Sequence, residues 1–492
     1  MADLFSSIRE RPTLRDYQTQ GRDEILACLA RGRNPLYFLP TAGGKGPVIG
    51  SVADVIEAQG WEVWVFAHRE ELVLQLSEHL ANVGVEHGII APWADLTDHP
   101  TQVCSIDTVR ARFDQLRHRL ARVRLIIIDE AHHAAMEGYE RIRELCPNAL
   151  FLGTTATPFR HDGKPLGTFN AEVRGPTVKE LEARSYIAPV KLIAPPSKVD
   201  FSKLKRRMGD FVTAQLADAV DTDEFRQAAI LAYHQHAAGL PTLAFCVDVD
   251  SAIKTARTFQ AFNWSVEVME STFKHCLDGR PGETKRRARR RCIQGLASGR
   301  YQILFTIGMA GEGTDIPVCA AGLDLRATES TQLWLQHVGR VKRLYPGKAE
   351  GLWLDLVGNW SRHGMPNADR HWSLDGGLKG LEKAVTAVRR CGRCHVVCER
   401  GPSHCPNCGR AYPRPLLAAV PEATLLNMPG FAGLTATEIA AAKYKDIVPL
   451  AETEEELRIY AAIKGYKRGW VQRMLDERAA AKAYGYMQRR YA

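Results

Sequence analysis

Apolar residues along this chain gather in short continuous runs instead of alternating with polar ones. LYFLP begins at Leu36, VWVFAH at Val63, LIIIDE at Leu125 and ALFLGTTATP at Ala149. Each run ends in polar or glycine-rich residues and is followed by a helical pattern. Unbroken apolarity suits strands buried on both faces of a parallel sheet. A second series comprises TLAFCVD from Thr242, YQILFTIG from Tyr301 and GLWLDLVG from Gly351. Strands alternating with helices in two series predict two tandem α/β domains, each built on a parallel sheet.

The stretch between the series, APVKLIAPPSKVDFSKLKRRMGDF, is rich in proline and charge and reads as a boundary. After about residue 385 the pattern breaks into a cysteine cluster and then an Ala-, Glu- and Arg-rich helical tail. The expected organisation is a first domain over 1–188, a boundary segment over 189–222 and a second domain over 223–385. A small cysteine-rich unit over 386–412 and a helical element over 413–492 complete it. A length of 492 residues accommodates this number of units.

Composition narrows the classes. No apolar run is long enough to cross a bilayer, and MADLFSSIRERPTLR lacks the apolar centre of a signal peptide. The expectation is a soluble, cytoplasmic protein without a membrane partner. A formal net charge of +9 tilts toward a polyanionic partner. Cys28, Cys104, Cys146, Cys246, Cys276, Cys292 and Cys319 are scattered singly and read as ordinary buried thiols. The other five cysteines crowd into residues 391–408, the pattern of a metal site.

Two stretches carry candidate chemistry. LPTAGGKGPVIG, residues 39–50, follows a strand and precedes a helix. Backbone N–H groups of Gly43, Gly44 and Lys45 there would face an anion at the positive end of the helix, with Thr41 and Gly46 flanking them. The plainer reading is a strand-to-helix turn with two glycines. In LIIIDEAHH, Asp129 and Glu130 stand at the carboxyl end of a strand, where open α/β sheets bind ligands. Asp129 would hold Mg²⁺ and Glu130 would polarise an attacking water; helix capping is the alternative for Asp129.

With these motifs the chain resembles a superfamily 2 helicase of the DEAH-box kind, which implies two RecA-like domains and ATP as cofactor. LRDYQ at 14–18 is similar to the adenine-reading segment, with Gln18 and Arg15 as contacts. FAHREELVLQ at 66–75 resembles a strand-binding motif, which places His68 and Arg69, with Thr306 from the second half, near nucleic acid. The resemblance assigns His132, Thr155 and Thr157 to coupling hydrolysis with domain movement. GEGTDIP at 311–317 brings Glu312, Gly313 and Asp315 to the nucleotide. QHVGRVKR at 336–343 resembles the arginine-finger motif, with Gln336, Arg340 and Arg343 near the γ-phosphate.

Two positions depart from that pattern. Ala42 stands for a usual glycine and is expected to keep a negative φ. Gly46 replaces the Thr or Ser whose hydroxyl holds Mg²⁺. Magnesium keeps waters readily, so a water held by Asp129 and the phosphates is expected to take the hydroxyl's place, weakening binding without abolishing the site.

CGRCHVVCERGPSHCPNCGR has two CxxC pairs separated by ten residues. Cys391, Cys394, Cys405 and Cys408 are the predicted Zn²⁺ ligands of a zinc ribbon, with Cys398, His395 and His404 as spares. A superfamily 2 core with such a ribbon resembles the RadD-like branch of DNA-repair helicases. The tail around Gly465, Tyr466, Gly469 and Trp470 deepens the likeness, which implies a role in bacterial or phage DNA repair and recombination.

KRRARRR at 285–291 reads either as a solvated helix face or as a phosphate track. Lys464, Lys467, Arg468 and Trp470 suit phosphate contact with stacking, and core packing of Trp470 and Tyr466 fits equally. The expected function is an ATP-dependent DNA helicase or translocase. The rivals are a clamp with a degenerate ATP site, an RNA helicase and a restriction-system motor subunit.

Overall fold

The computed structural model describes residues 13–131, 137–156, 167–197, 199–207, 209–280, 282–308, 316–370, 388–412, 429–431, 434–442, 444–464, 466 and 469–478. The first sheet comprises β1 (Pro35–Phe38), β2 (Glu62–Ala67), β3 (Gly88–Ile90), β4 (Thr101–Ser105), β5 (Val123–Asp129), β6 (Leu150–Thr155) and β7 (Ala171–Arg174). Their order is β3-β4-β2-β5-β6-β1-β7, and every neighbouring pair is parallel.

Alternate side chains explain the continuous apolar runs. Val63, Val65, Leu125 and Ile127 pack with α1 (Asp16–Ala30), α2 (Lys45–Glu57) and α3 (Glu70–Val83). Trp64, Phe66, Ile126 and Ile128 point to the other face, against α4 (Ile106–Ala111), α5 (Phe113–Leu120) and α6 (Glu137–Leu145). A strand covered on both sides has no polar face to present.

After α7 (Val178–Ala183) the chain enters a second parallel sheet. It contains β8 (Val190–Ile193), β11 (Thr242–Phe245), β12 (Val266–Met269), β13 (Ile303–Thr306), β14 (Ala321–Asp324) and β15 (Gly351–Asp355), in the order β12-β13-β11-β14-β15-β8. A small hairpin, β9 (Arg206–Arg207) with β10 (Asp210–Phe211), lies between β8 and β11 in sequence. Helices α8 (Thr213–Val220), α9 (Asp223–His236) and α10 (Val249–Ala261) cover one face. The other carries α11 (Lys285–Ala297) and α12 (Thr331–Val338), and a short helix α13 (Asn359–His363) follows β15.

All seven runs read from the sequence are strands, and the sheets add members that polarity disguised. In β12 the fully buried Glu267 accepts from the Leu277 and Val268 amides at 2.6 and 2.8 Å and pairs with Arg291 at 3.0 Å. In β14 a Cβ on Gly322 would lie 2.2 Å from the Trp353 ring, so the neighbouring indole excludes a side chain there. β8 falls at the start of the segment read as a boundary.

Beyond α13, β16 (Val388–Arg390) and β17 (Val397–Glu399) form an antiparallel hairpin. It leans on the edge strand of the second sheet through an Ile193–Val396 bridge and the Ala194 N–H to His395 carbonyl bond of 2.9 Å. Residues 409–492 form a separate compact unit. Its core gathers Phe431, Ile439, Leu457, Tyr460, Trp470 and Met474 from helices Ala436–Ala441 and Glu454–Lys464 and the helical segment 470–478. Among the described residues, no helix is long and apolar enough to cross a membrane.

The tail unit hangs on one carboxylate. Glu456 is fully buried and accepts from the backbone N–H groups of Gly430, Glu452 and Thr453 at 2.7, 2.6 and 2.7 Å. Glu456→Gln would turn an amide donor toward one of these donors, and an unsatisfied buried group costs about 1–3 kcal/mol. The expected outcome is a loss of that size in the unfolding free energy of this unit, measured by hydrogen exchange at the Gly430, Glu452 and Thr453 amides.

Candidate functional site

The loop after β1 turns into α2 through two left-handed residues. Gly44, at φ 83°, is the N-cap, and Ala42 sits at φ 68°. The negative φ expected for Ala42 is thus corrected: the turn needs a left-handed residue there, and a Cβ in that region is strained by about 1–2 kcal/mol. From behind, the Gln18 side chain donates to the Gly44 carbonyl at 3.0 Å and accepts from the Arg15 N–H at 2.9 Å. Tyr17 donates to the Gly43 carbonyl at 2.7 Å. Gln18, expected to read a base, thus braces the loop with its amide nitrogen and caps the start of α1 with its amide oxygen. Arg15 lies over the Tyr186 ring, 4.7 Å from its centre.

β5 delivers the acids. Asp129 is opposite Thr154 in register, and the Thr154 hydroxyl donates to its Oδ1 at 2.7 Å. The chain then reverses at Glu130, a non-glycine residue at φ 51°. Such strain persists only where the surroundings hold it, and here Lys45 Nζ pairs with Glu130 Oε1 at 2.7 Å. Both side chains are only 13% exposed, so each charge depends on the other.

The second lobe closes the site. Gln336 on α12, Arg340 in the 3-10 turn Gly339–Lys342 and Arg343 just after it line one cavity of about 350 Å³. The same walls carry Arg15, Thr41, Gly44, Lys45, Gly46, Asp129 and Glu130, together with Tyr186. That volume lies within the range of small-molecule sites. Desolvation pushes the Arg343 guanidinium down to about 10, which leaves it charged at neutral pH. The lobes touch directly: a Cβ on Gly339 would lie 2.4 Å from Thr41 Cγ2. Arg69 donates to the Gly308 carbonyl at 3.1 Å, and Arg289 of α11 reaches Glu71 of α3 at 3.9 Å.

At Gly46 the structure departs from expectation. The space beside it is filled by the imidazole of His79 on α3, whose Cδ2 would lie 2.1 Å from a Cβ on residue 46. The space a residue-46 side chain would need is taken by this ring. Burial pushes the His79 ring below its ordinary pKa. The sequence signal was present but indirect: Gly46 and Gly50 share one face of α2, and a Cβ on Gly50 would meet Val83 Cγ2 of the same α3 helix at 2.9 Å.

Other expected residues fall elsewhere. Thr155 ends β6, buried, with its carbonyl accepting from Leu39 N–H at 3.1 Å. His68 lines a different cavity of about 410 Å³ with the exposed Trp93, an aromatic that sequence reading passed over. Thr306 is buried at the end of β13, outside both cavities. His132, Thr157, Glu312, Gly313 and Asp315 lie outside the described residues, as do Gly465, Lys467 and Arg468. On α11, Lys285, Arg286, Arg287 and Arg290 are exposed, whereas Arg291 is buried against Glu267 and Glu283. Trp470 is a core residue with its ring tilted against Tyr466 at 4.8 Å, and Lys464 donates to the Ala442 carbonyl at 2.7 Å. Cys276 and Cys292, read as isolated thiols, meet beside Glu267 because the loop after β12 folds onto α11.

Cys391, Cys394, Cys405 and Cys408 converge with all sulfurs within 4.8 Å of one another. Cys391 and Cys408 sulfurs are 3.7 Å apart, and those of Cys394 and Cys405 are 3.6 Å apart. Four thiolates at Zn–S bonds of about 2.3 Å stand about 3.8 Å from each other, so the donor set fits a tetrahedral ion. Cys398, His395 and His404 are not members of the cluster.

Residues 11–160 match the family model "Type III restriction enzyme, res subunit". A 51.5 kDa protein of Lactococcus phage (isolate 7-9) is 26% identical over 377 residues, 76% of this chain and 77% of the relative. The DNA 3'-5' translocase XPB2 of Sulfurisphaera tokodaii is 24% identical over 372 residues, covering 69% of this chain and 80% of that one. A structure described as a fragment of an HsdR subunit of a type I restriction enzyme from Vibrio vulnificus YJ016 superposes with a TM-score of 0.56 at 18% identity. The match covers 73% of this chain and 68% of that fragment. The chain thus carries a domain of the superfamily 2 helicase and restriction-enzyme type.

Ala42→Gly is expected to relieve the left-handed strain and raise stability by about 1 kcal/mol, read from denaturant unfolding with and without nucleotide. Purified protein is expected to hold about one zinc per chain, released by a thiol-reactive mercurial. Cys405→Ser is expected to lose the ion and lower the melting temperature in calorimetry.

Proposed function

We propose that the chain is an ATP-dependent DNA translocase or helicase that hydrolyses ATP in the cavity between its two lobes. One observation carries this reading: a lysine and two acids of the first lobe and two arginines of the second line a single cavity, at a seam where Gly339 meets Thr41. The Asp129 carboxylate, steadied by Thr154, and the neighbouring Glu130 are a donor set suited to a divalent cation. When bound, Mg²⁺ would neutralise phosphate charge and orient the terminal phosphoryl group.

The chain's own groups divide the remaining work. A triphosphate arriving at the loop competes for Lys45, and Glu130, released from its ion pair, becomes the base for an attacking water. Arg340 and Arg343 meet the charge that develops on the terminal phosphate. Contributions of this kind amount to about 10³–10⁵ in rate, so hydrolysis depends on the lobes being together. Nucleic acid bound across both lobes would be held differently before and after closure, which is what a motor needs.

DNA as partner is supported by the net charge of +9, the exposed basic residues of α11 and the likeness to a protein named as a DNA translocase. A zinc ribbon at the four cysteines, together with the tail, supports placing the protein with RadD-like repair helicases. A second reading, a clamp that binds ATP without turning it over, draws on the strained Ala42 and the His79-filled space at Gly46.

Phosphate release measured with single-stranded, duplex and forked DNA, and with RNA, separates these readings. The motor predicts DNA-stimulated turnover that falls by about 10²–10⁴ in Glu130→Gln, the usual worth of a general base. Gly339→Ala, which adds a methyl at the seam, is expected to lower kcat while each lobe stays folded. Tight DNA and ATP binding without phosphate release would leave the clamp. Stronger stimulation by RNA would overturn DNA as the substrate.

A further inference from the structure

We propose that His79 takes over the place of the missing loop hydroxyl, so that an imidazole nitrogen faces the metal of the bound nucleotide and shifts the site from Mg²⁺ toward cations that accept nitrogen, such as Mn²⁺. The inference rests on the ATP-site reading above.

Three observations carry it. First, the imidazole and a residue-46 side chain are mutually exclusive, because Cδ2, Nε2 and Cγ of His79 lie 2.1, 2.4 and 2.6 Å from a Cβ built there. A hydroxyl oxygen would stand one bond beyond that Cβ, so Nε2 occupies the same neighbourhood. Second, His79 borders the cavity that also contains Lys45, Asp129 and Glu130. Third, its ring nitrogens make no hydrogen bond among the described residues, so a lone pair is available to a ligand.

Close helix packing alone does not account for the arrangement. Gly50 already admits Val83, one helical turn further along both helices. An apolar side chain at 79 would fill the gap beside Gly46 equally well; a nitrogen base at the cavity wall does something more. Oxygen ligands favour Mg²⁺, whereas imidazole suits transition metals.

The test uses the full-length protein with ADP and Mn²⁺. In pulsed EPR, protein labelled with ¹⁵N-histidine is expected to show a nitrogen coupling to the bound Mn²⁺ that disappears in His79→Ala. The preference for Mn²⁺ over Mg²⁺, from competitive titration in the presence of ADP, is expected to fall by about tenfold or more in His79→Ala, as for groups that tune a metal site. Gly46→Thr alone lacks room and is expected to weaken ADP binding, whereas Gly46→Thr with His79→Ala regains binding with Mg²⁺ preferred. Melting curves establish that each variant is folded. Mn²⁺ and ADP bound without a histidine coupling, or an unchanged metal preference in His79→Ala, would overturn the inference while leaving the ATP site standing. Wild-type protein that binds no ADP would overturn both.

Discussion

A lysine and a glutamate, nearly shut off from water, hold each other where the glycine-rich loop enters α2. Much of the first lobe serves to bring them there. Lys45 opens α2 because the loop after β1 completes its left-handed turn at Gly44, six residues past Phe38, and Glu130 is presented because the strained residue directly follows β5. Neither charge could remain at this depth alone. Under the proposed function the pair is a latch that a competing anion would open. Opposite it, the two arginines of the second lobe supply the complementary sign for that anion.

Most of the architecture was legible in the sequence, because strands covered on both faces leave unbroken apolar runs. What escaped were strands whose interior positions are polar or very small. Glu267 disguises β12 because its buried charge is answered from outside the strand's own pattern, by Arg291 and by three backbone amides. Gly322 disguises β14 because the bulk that belongs there is contributed by Trp353 from the adjacent strand. Patterns along one strand do not register compensation supplied by another.

The candidate site shows the same division. Loop glycines, acids and arginines stood out because each has a chemical signature in its own segment, and the fold brings them to one cavity. Gln18 lies behind the loop, where its amide nitrogen donates to a loop carbonyl. His79 was missed because its significance lies in what faces it: only the crossing of α2 and α3 connects it with Gly46. A conspicuous absence in a motif is best read together with whichever side chain has moved into the space.

The cysteine hairpin has a role beyond its own folding. β8 is the outer strand of the second sheet, and the hairpin lies against it through Val396 and the His395 carbonyl. Exposed sheet borders invite pairing with other chains, and a segment this small depends on its ion for order. Whatever holds the four sulfurs together also keeps that border of the sheet covered.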